Sequence, residues 1–93
     1  MADPLATLEQ TLADRRENRP EGSYSVTLFD DPDLVQRKIM EEAFEVCLEL
    51  GRATVDADRV ASEAADLVYH LLAGLASVEV PLDAVYAELE RRR

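Results

Sequence analysis

Tryptophan is absent from this sequence, and cysteine and histidine each occur only once in its 93 residues. The single thiol, Cys47, cannot form a disulfide within the chain. Its apolar neighbours predict a reduced thiol in the core of a cytoplasmic protein. One cysteine and one histidine do not supply the ligand set of a zinc site. These absences exclude a disulfide framework and a zinc-binding domain.

Basic residues, aromatic residues and long apolar runs are also scarce. The chain has 20 acidic and 10 basic residues, a net charge of −10, which repels the phosphates of a nucleic acid. Its aromatic fraction of 5% leaves little for base stacking. The longest uncharged stretch, LVYHLLAGLASV, is too short and too polar to span a bilayer, and no signal-peptide pattern precedes it. We expect a cytoplasmic protein that binds neither nucleic acid nor membrane and attracts divalent cations.

Proline and glycine mark the ends of helices in this sequence. An aspartate precedes a proline at Asp3 and again at Asp31, which pairs an N-cap residue with proline at the first helical position. Gly51 ends the second of these helices, and Pro81 separates two later ones. The pattern predicts a single domain over residues 1–93 with an all-α, four-helix, bundle-like fold. The first predicted helix begins at residue 4 and fades over residues 18–20. The others cover residues 32–50, about 56–78, and the chain from residue 82 onward.

Residues 20–31, PEGSYSVTLFDD, form the one sizeable segment predicted to be irregular. Its apolar side chains are expected to hold it against the core. Two interpretations stay open for Ser23 and Tyr24, because either their side chains reach a substrate or the turn that contains them only seats the segment.

The predicted second helix carries many acidic residues beside its apolar ones. On a helical wheel the apolar side chains spread over about 200°, twice the width that a surface helix needs. We therefore expect a second copy of the chain to cover this helix, in a homodimer or a higher oligomer. One basic and four acidic residues share the remaining arc of about 100°: Lys38, Glu41, Glu42, Glu45 and Glu49.

The predicted third helix contains a second acidic group in a mostly apolar stretch. Glu63 and Asp66 lie one turn apart and share a face with Arg59 and His70. Four acidic pairs with this spacing are what the composition alone would produce, so a solvated acidic face is one interpretation. The other is that two long helices joined by a short link pack antiparallel, which brings their acidic faces together.

Converging carboxylates would bind a hard divalent cation. Oxygen ligands favour Mg²⁺, or Mn²⁺, over zinc. Four carboxylates keep a net negative charge after binding one such ion, and that charge would repel a polyphosphate. We therefore expect two or more ions, which can hold a phosphoanhydride and activate water for in-line attack.

The spacing of these acids resembles a known metal-binding signature. Glu42-x-x-Glu45, followed after seventeen residues by Glu63-x-x-Asp66, is similar to the signature of the all-α nucleotide pyrophosphohydrolases. Within that superfamily, the segments GSYS (22–25), KIMEEAFEV (38–46), EAADLVYHLL (63–72) and PLDAVYAELERR (81–92) resemble the phosphoribosyl-ATP pyrophosphatases of histidine biosynthesis.

The resemblance implies a fold, a reaction and roles for individual residues. It implies a helical homodimer that hydrolyses phosphoribosyl-ATP to phosphoribosyl-AMP and pyrophosphate with Mg²⁺, in some relatives joined to a phosphoribosyl-AMP cyclohydrolase. Glu41 is then a ligand, an orienting residue or the base, and His70 could hold the Asp66 carboxylate, although a packing role is the alternative. The matched positions are metal ligands at Glu42, Glu45, Glu63 and Asp66 and catalytic residues at Glu41 and Glu42. Lys38 matches a family lysine that either binds a phosphate oxygen or pairs with Glu42 or Glu45. Arg52 is a candidate substrate contact in place of a family lysine.

Four positions depart from the family pattern. Met40 and Phe44 stand where smaller residues are usual, and Gly51-Arg52 replaces a Lys-Asn pair. These differences leave the four acids in place but bear on the substrate. A related enzyme that hydrolyses ordinary or damaged nucleoside triphosphates is therefore one alternative, and a non-catalytic helical dimerisation module is another.

Overall fold

The computed structural model describes residues 3–93, and in this part of the chain all regular structure is helical. The all-α prediction is confirmed. Residues 3–93 form five helices, separated by short links: α1 Pro4–Asn18, α2 Tyr24–Asp30, α3 Pro32–Leu50, α4 Ala57–Ser77 and α5 Leu82–Arg92.

Aspartate side chains begin three of the helices. Asp3 accepts a hydrogen bond from the backbone N–H of Leu5 at 3.1 Å, and Asp31 accepts one from Leu34 at 3.1 Å. The side chain of Asp56 caps α4 in the same way. These bonds satisfy backbone donors that have no partner within the helix. The boundaries predicted from Asp-Pro pairs are therefore confirmed for α1 and α3.

The prediction of four helices was wrong by one, because α2 lies within the segment expected to be irregular. A helix of seven residues is not stable by itself. Packing stabilises it here, since Leu28 is fully buried and Ser25 is 2% exposed. The Ser25 hydroxyl also lies 2.8 Å from that of Tyr69 on α4. Contacts with distant residues thus decide the structure of this segment.

Helices α3 and α4 form the centre of the fold and run antiparallel. Glu49 near the end of α3 pairs with Arg59 near the start of α4 at 3.4 Å. At the other end, a Cβ on Gly74 would lie 3.2 Å from the side chain of Ile39 and 3.7 Å from that of Val35. Glycine at position 74 therefore permits the close approach of the two helices.

Helix α5 is attached to the rest of the fold mainly at its first turn. Glu9 on α1 accepts a hydrogen bond from the backbone N–H of Leu82 at 2.7 Å, and Leu82 is buried. Among residues 3–93, no single helix is long and apolar enough to cross a membrane. Taken together, α4 and α5 reach that length and composition, but they are bent by 111° where they meet.

Candidate metal centre

Three carboxylates converge between α3 and α4. One oxygen atom each from Glu42, Glu45 and Glu63 lie within 4.8 Å of one another. The antiparallel packing of the two helices brings these residues together, because Glu42 and Glu45 are one turn apart on α3 and Glu63 faces them from α4. We call these three residues the carboxylate cluster.

The carboxylate cluster contains buried oxygen atoms that have no partner in the part of the chain described. These are Oε2 of Glu42 and Oε2 of Glu63, and Glu42 as a whole is only 7% exposed. A buried carboxylate oxygen without a hydrogen bond is costly, and paired or metal-bound charges are the usual solution. The donor set therefore fits a hard cation bound by oxygen ligands.

Burial and the neighbouring carboxylates raise the pKa values of Glu42 and Glu63. Burial raises the pKa of Glu42 above its ordinary value of 4.5, and the charges of Glu45 and Asp66 raise it further. A hydrogen bond shared with Glu45 raises the pKa of Glu63, and burial and the surrounding negative charges act in the same direction. Like charges at short range disfavour full ionisation. A bound cation would remove this penalty.

We predict that the metal-free protein loses stability as the pH rises above about 4.5, through the raised pKa values of Glu42 and Glu63. The native state holds the protons of Glu42 and Glu63 more tightly than the unfolded chain does, since both pKa values are raised from 4.5. Their favourable contribution is present below the unfolded pKa and is lost as the pH passes through the folded pKa. Urea unfolding in EDTA at several pH values would measure this loss.

The matched variant for this pH series is Glu42→Gln, which cannot ionise at that position. Its stability should fall less steeply over the same pH range than that of the wild type. Adding Mg²⁺ should flatten the wild-type curve. Equal slopes for the two proteins in EDTA would show that the carboxylate cluster does not control this pH dependence.

Asp66 lies beside the carboxylate cluster but outside it. Its side chain is exposed, and it is not among the three residues whose oxygens converge. Its negative charge nevertheless raises the pKa of both Glu42 and Glu63. Asp66 is one helical turn beyond Glu63 on α4, so its exposed side chain lies next to the carboxylate cluster.

His70 does not hold the carboxylate of Asp66, as the sequence suggested that it could. Its Nδ1 lies 2.8 Å from the backbone carbonyl oxygen of Asp66, within the same helix. Its Nε2 lies 2.8 Å from the hydroxyl of Tyr24, the first residue of α2. The histidine is 7% exposed and thus joins α4 to α2. No sequence signal indicates the contact between His70 and Tyr24, because the two residues are distant along the chain and meet only in the fold.

Lys38 and Glu41 lie at the edge of the carboxylate cluster. The ammonium nitrogen of Lys38 is 3.4 Å from a Glu41 oxygen and 3.8 Å from a Glu42 oxygen. The hydrogen bond that Lys38 donates to Glu41 is the main cause of the raised pKa of Lys38. The Glu41 side chain is more than half exposed, whereas that of Glu42 is almost fully covered. Lys38 is therefore the basic residue placed beside the cluster.

Arg52 and Glu49, two further residues of interest in the sequence, form an ion pair with each other. Two nitrogens of Arg52 lie 2.9 and 3.1 Å from the two carboxylate oxygens of Glu49. Arg59 approaches the same carboxylate at 3.4 Å, and the arginines lower the pKa of Glu49. Glu49 thus joins the ends of α3 and α4, and it is not part of the carboxylate cluster.

An apolar face of α3 is exposed in the single chain. Met40, Phe44 and Leu48 follow one another at intervals of one helical turn and are 64%, 63% and 50% exposed. Cys47 is exposed as well, so the prediction of a core thiol was wrong for the single chain. The departures from the family pattern at positions 40 and 44 therefore fall on this face.

Comparison with known proteins identifies relatives along the whole chain. The model of the phosphoribosyl-ATP pyrophosphohydrolase family matches residues 5–93. A phosphoribosyl-ATP pyrophosphatase of Halobacterium salinarum is 38% identical, with both chains covered completely. That of Metallosphaera sedula is 45% identical, with 99% of this chain and 98% of the relative covered. The histidine biosynthesis bifunctional protein HisIE of Halalkalibacterium halodurans is 42% identical over 41% of its length. This chain therefore belongs to the phosphoribosyl-ATP pyrophosphohydrolase family.

Proposed function

We propose that this protein hydrolyses phosphoribosyl-ATP to phosphoribosyl-AMP and pyrophosphate, the second step of histidine biosynthesis. The observation that carries the proposal is the carboxylate cluster between α3 and α4 in a chain of this family. Full-length relatives named phosphoribosyl-ATP pyrophosphatase support the same reaction. The reaction is performed by a single domain formed by residues 1–93.

The proposed cofactor is Mg²⁺, with Mn²⁺ as a substitute. Glu42, Glu45 and Glu63 would hold it, and Asp66 would complete the set after a change of its exposed side chain. Oxygen ligands suit these ions, and a bound divalent ion polarises a phosphoanhydride and stabilises the charge that develops on it. Four carboxylates exceed the charge of one such ion, which favours two or more ions at this site.

The remaining groups at the site have proposed roles that follow from their exposure. Lys38 would bind a phosphate oxygen, since its ammonium group already lies at the edge of the cluster. The exposed Glu41 is the proposed base that accepts a proton from water, because Glu42 is buried and its Oε1 faces Lys38. A contact between Arg52 and the substrate would require its pair with Glu49 to open.

We further propose that the protein is a homodimer in which the exposed apolar face of α3 is covered by a second copy. A higher oligomer would use the same face. Relatives carry the matching segment within longer bifunctional and trifunctional histidine biosynthesis proteins. Association with the phosphoribosyl-AMP cyclohydrolase is therefore the second proposed partnership.

The test of the function is pyrophosphate release by the purified protein with Mg²⁺, comparing phosphoribosyl-ATP with ATP and dUTP. We expect a kcat/KM for phosphoribosyl-ATP at least about 100-fold above the others, because a polar substrate group that the site recognises is discriminated strongly. Preference for ATP or dUTP would instead identify a nucleoside triphosphate pyrophosphohydrolase with the same metal site. If no pyrophosphate is released from any of the three nucleotides, the remaining alternative is a non-catalytic helical dimerisation module.

A further inference from the structure

Tyr24 is held in a fixed position by two aromatic side chains of α4. Its ring stacks on that of Tyr69, with the centroids 6.2 Å apart and the planes 18° from parallel. It meets the ring of His70 edge-on, with the centroids 5.7 Å apart and the planes at 82°. Both arrangements are favoured geometries for aromatic pairs. The Tyr24 ring is thus oriented although the residue itself is 45% exposed.

The hydroxyl of Tyr24 is directed inward by His70. The backbone carbonyl of Asp66 can only accept a hydrogen bond, so Nδ1 of His70, at 2.8 Å from it, carries a proton and donates. In the neutral ring Nε2 is then unprotonated and accepts a hydrogen bond from the Tyr24 hydroxyl at 2.8 Å. The hydroxyl proton is therefore used within the protein and is not available to a ligand, although the residue as a whole is 45% exposed.

Tyr24 lies close to the carboxylate cluster. Asp66, whose carbonyl orients His70, is one turn from Glu63 on α4. The charges of Lys38 and Glu42 on α3 both act on the Tyr24 hydroxyl, whose pKa is raised mainly by burial. A flat, rigid, half-exposed aromatic surface therefore borders the place where the triphosphate would bind.

We propose that Tyr24 contacts the purine base of the nucleotide by stacking, and that His70 is a positioning residue that acts through the Tyr24 hydroxyl. This rests on the proposed function, since a base must follow the triphosphate held at the carboxylate cluster. An aromatic ring stacks on any base with useful affinity and adds little conformational entropy cost. The carboxylate cluster can bind only the phosphates and their cations, so recognition of the nucleoside needs another surface.

The first experiment compares Tyr24→Leu with the wild type in two measurements. The KM for phosphoribosyl-ATP should rise about tenfold with little change in kcat, as expected when a contact equal in ground and transition states is lost. The inhibition constant of inorganic tripolyphosphate should stay the same, because this probe has no base. Tyr86→Leu, on a tyrosine of α5 with 38% exposure, is the matched control and should change neither value.

The second experiment separates positioning from contact. Tyr24→Phe keeps the ring and should raise KM less than Tyr24→Leu does. His70→Leu should raise KM in the wild-type background but add nothing in the Tyr24→Leu background, since its effect passes through Tyr24. His70→Gln offers a side-chain oxygen to the hydroxyl, should recover part of the loss, and also serves if His70→Leu does not fold.

These measurements test the role of Tyr24 separately from the proposed reaction. An unchanged KM in Tyr24→Leu would overturn it, as would an equal loss of nucleotide and tripolyphosphate affinity, while wild-type turnover would leave the proposed function standing. If the wild type does not cleave phosphoribosyl-ATP, the proposed function fails. The uncleaved nucleotide and tripolyphosphate are then compared by calorimetry with Mg²⁺, and a selective loss of nucleotide binding in Tyr24→Leu is still required.

Discussion

Replacing Glu42 with glutamine should lower kcat for pyrophosphate release by at least about 100-fold, because loss of a group that orients or binds the metal costs this much or more. Glu42 contributes a buried oxygen without a hydrogen-bond partner and one of the three converging carboxylates. An amide has nearly the same shape but no charge to hold a cation. The measurement is steady-state pyrophosphate release from phosphoribosyl-ATP over a range of Mg²⁺ concentrations.

The fold should survive this change, which makes the loss of activity interpretable. Burial and the neighbouring carboxylates raise the pKa of Glu42, so removing its charge relieves desolvation and repulsion in the metal-free protein. Helical circular dichroism should be unchanged. Mg²⁺ should raise the melting temperature of the wild type but not that of Glu42→Gln, because a ligand stabilises only the state that binds it.

Glu17→Gln, an exposed acid on α1, is the control for the removal of one negative charge. It should keep both the activity and the response to Mg²⁺. A Glu42→Gln protein that retained turnover would remove Glu42 from the metal centre. Asp66→Asn tests whether the exposed Asp66 is a metal ligand. Abolished turnover would show that Asp66 binds the metal, and a modest decrease would show that it lies only at the edge of the site.

Replacing Phe44 with glutamate should convert the proposed dimer to a monomer at micromolar concentrations. Phe44 lies at the centre of the exposed apolar face of α3, between Met40 and Leu48. An unpaired charge buried at an interface costs about 3–5 kcal/mol, which corresponds to a dissociation constant at least about 100-fold larger. Sedimentation velocity over a concentration series would measure the change in mass.

The control for this experiment is Ala6→Glu on α1, which also adds a negative charge at an exposed helical position. It should leave the mass unchanged. The single chain should remain helical in Phe44→Glu, because the side chain is 63% exposed before association. A dimer of unchanged affinity would show that another surface joins the copies, and a wild-type monomer would contradict the proposed assembly itself.

The helix boundaries were predictable from the sequence because short-range chemistry determines them. Asp3 and Asp31 bond to backbone N–H groups two or three residues away, so the signal and its effect lie in the same segment. The antiparallel packing of α3 and α4 was also predictable, because two long apolar helices joined by a short link pack against each other in opposite directions. The acidic residues of both helices then meet, as for Glu45 and Glu63.

Contacts between distant segments decided what the sequence did not reveal. Helix α2 forms because Leu28 is buried and because the hydroxyl of Ser25 lies next to that of Tyr69. Both contacts involve residues distant in sequence, so the local sequence does not predict them. The same is true of the partner of His70, which is a tyrosine 46 residues away and not the carboxylate one turn before it.

Glu49 shows the limit of a pattern most clearly. On the helical wheel it belongs with the other acids of α3, yet it pairs with Arg52 and Arg59 at the end where the two helices are joined. A helical wheel gives the direction of a side chain about its axis but not its position along the neighbouring helix. The sequence by itself thus determined the helices and their acidic faces. The tertiary structure decided which acids meet each other and which meet arginine, because that choice depends on where two helices lie alongside each other.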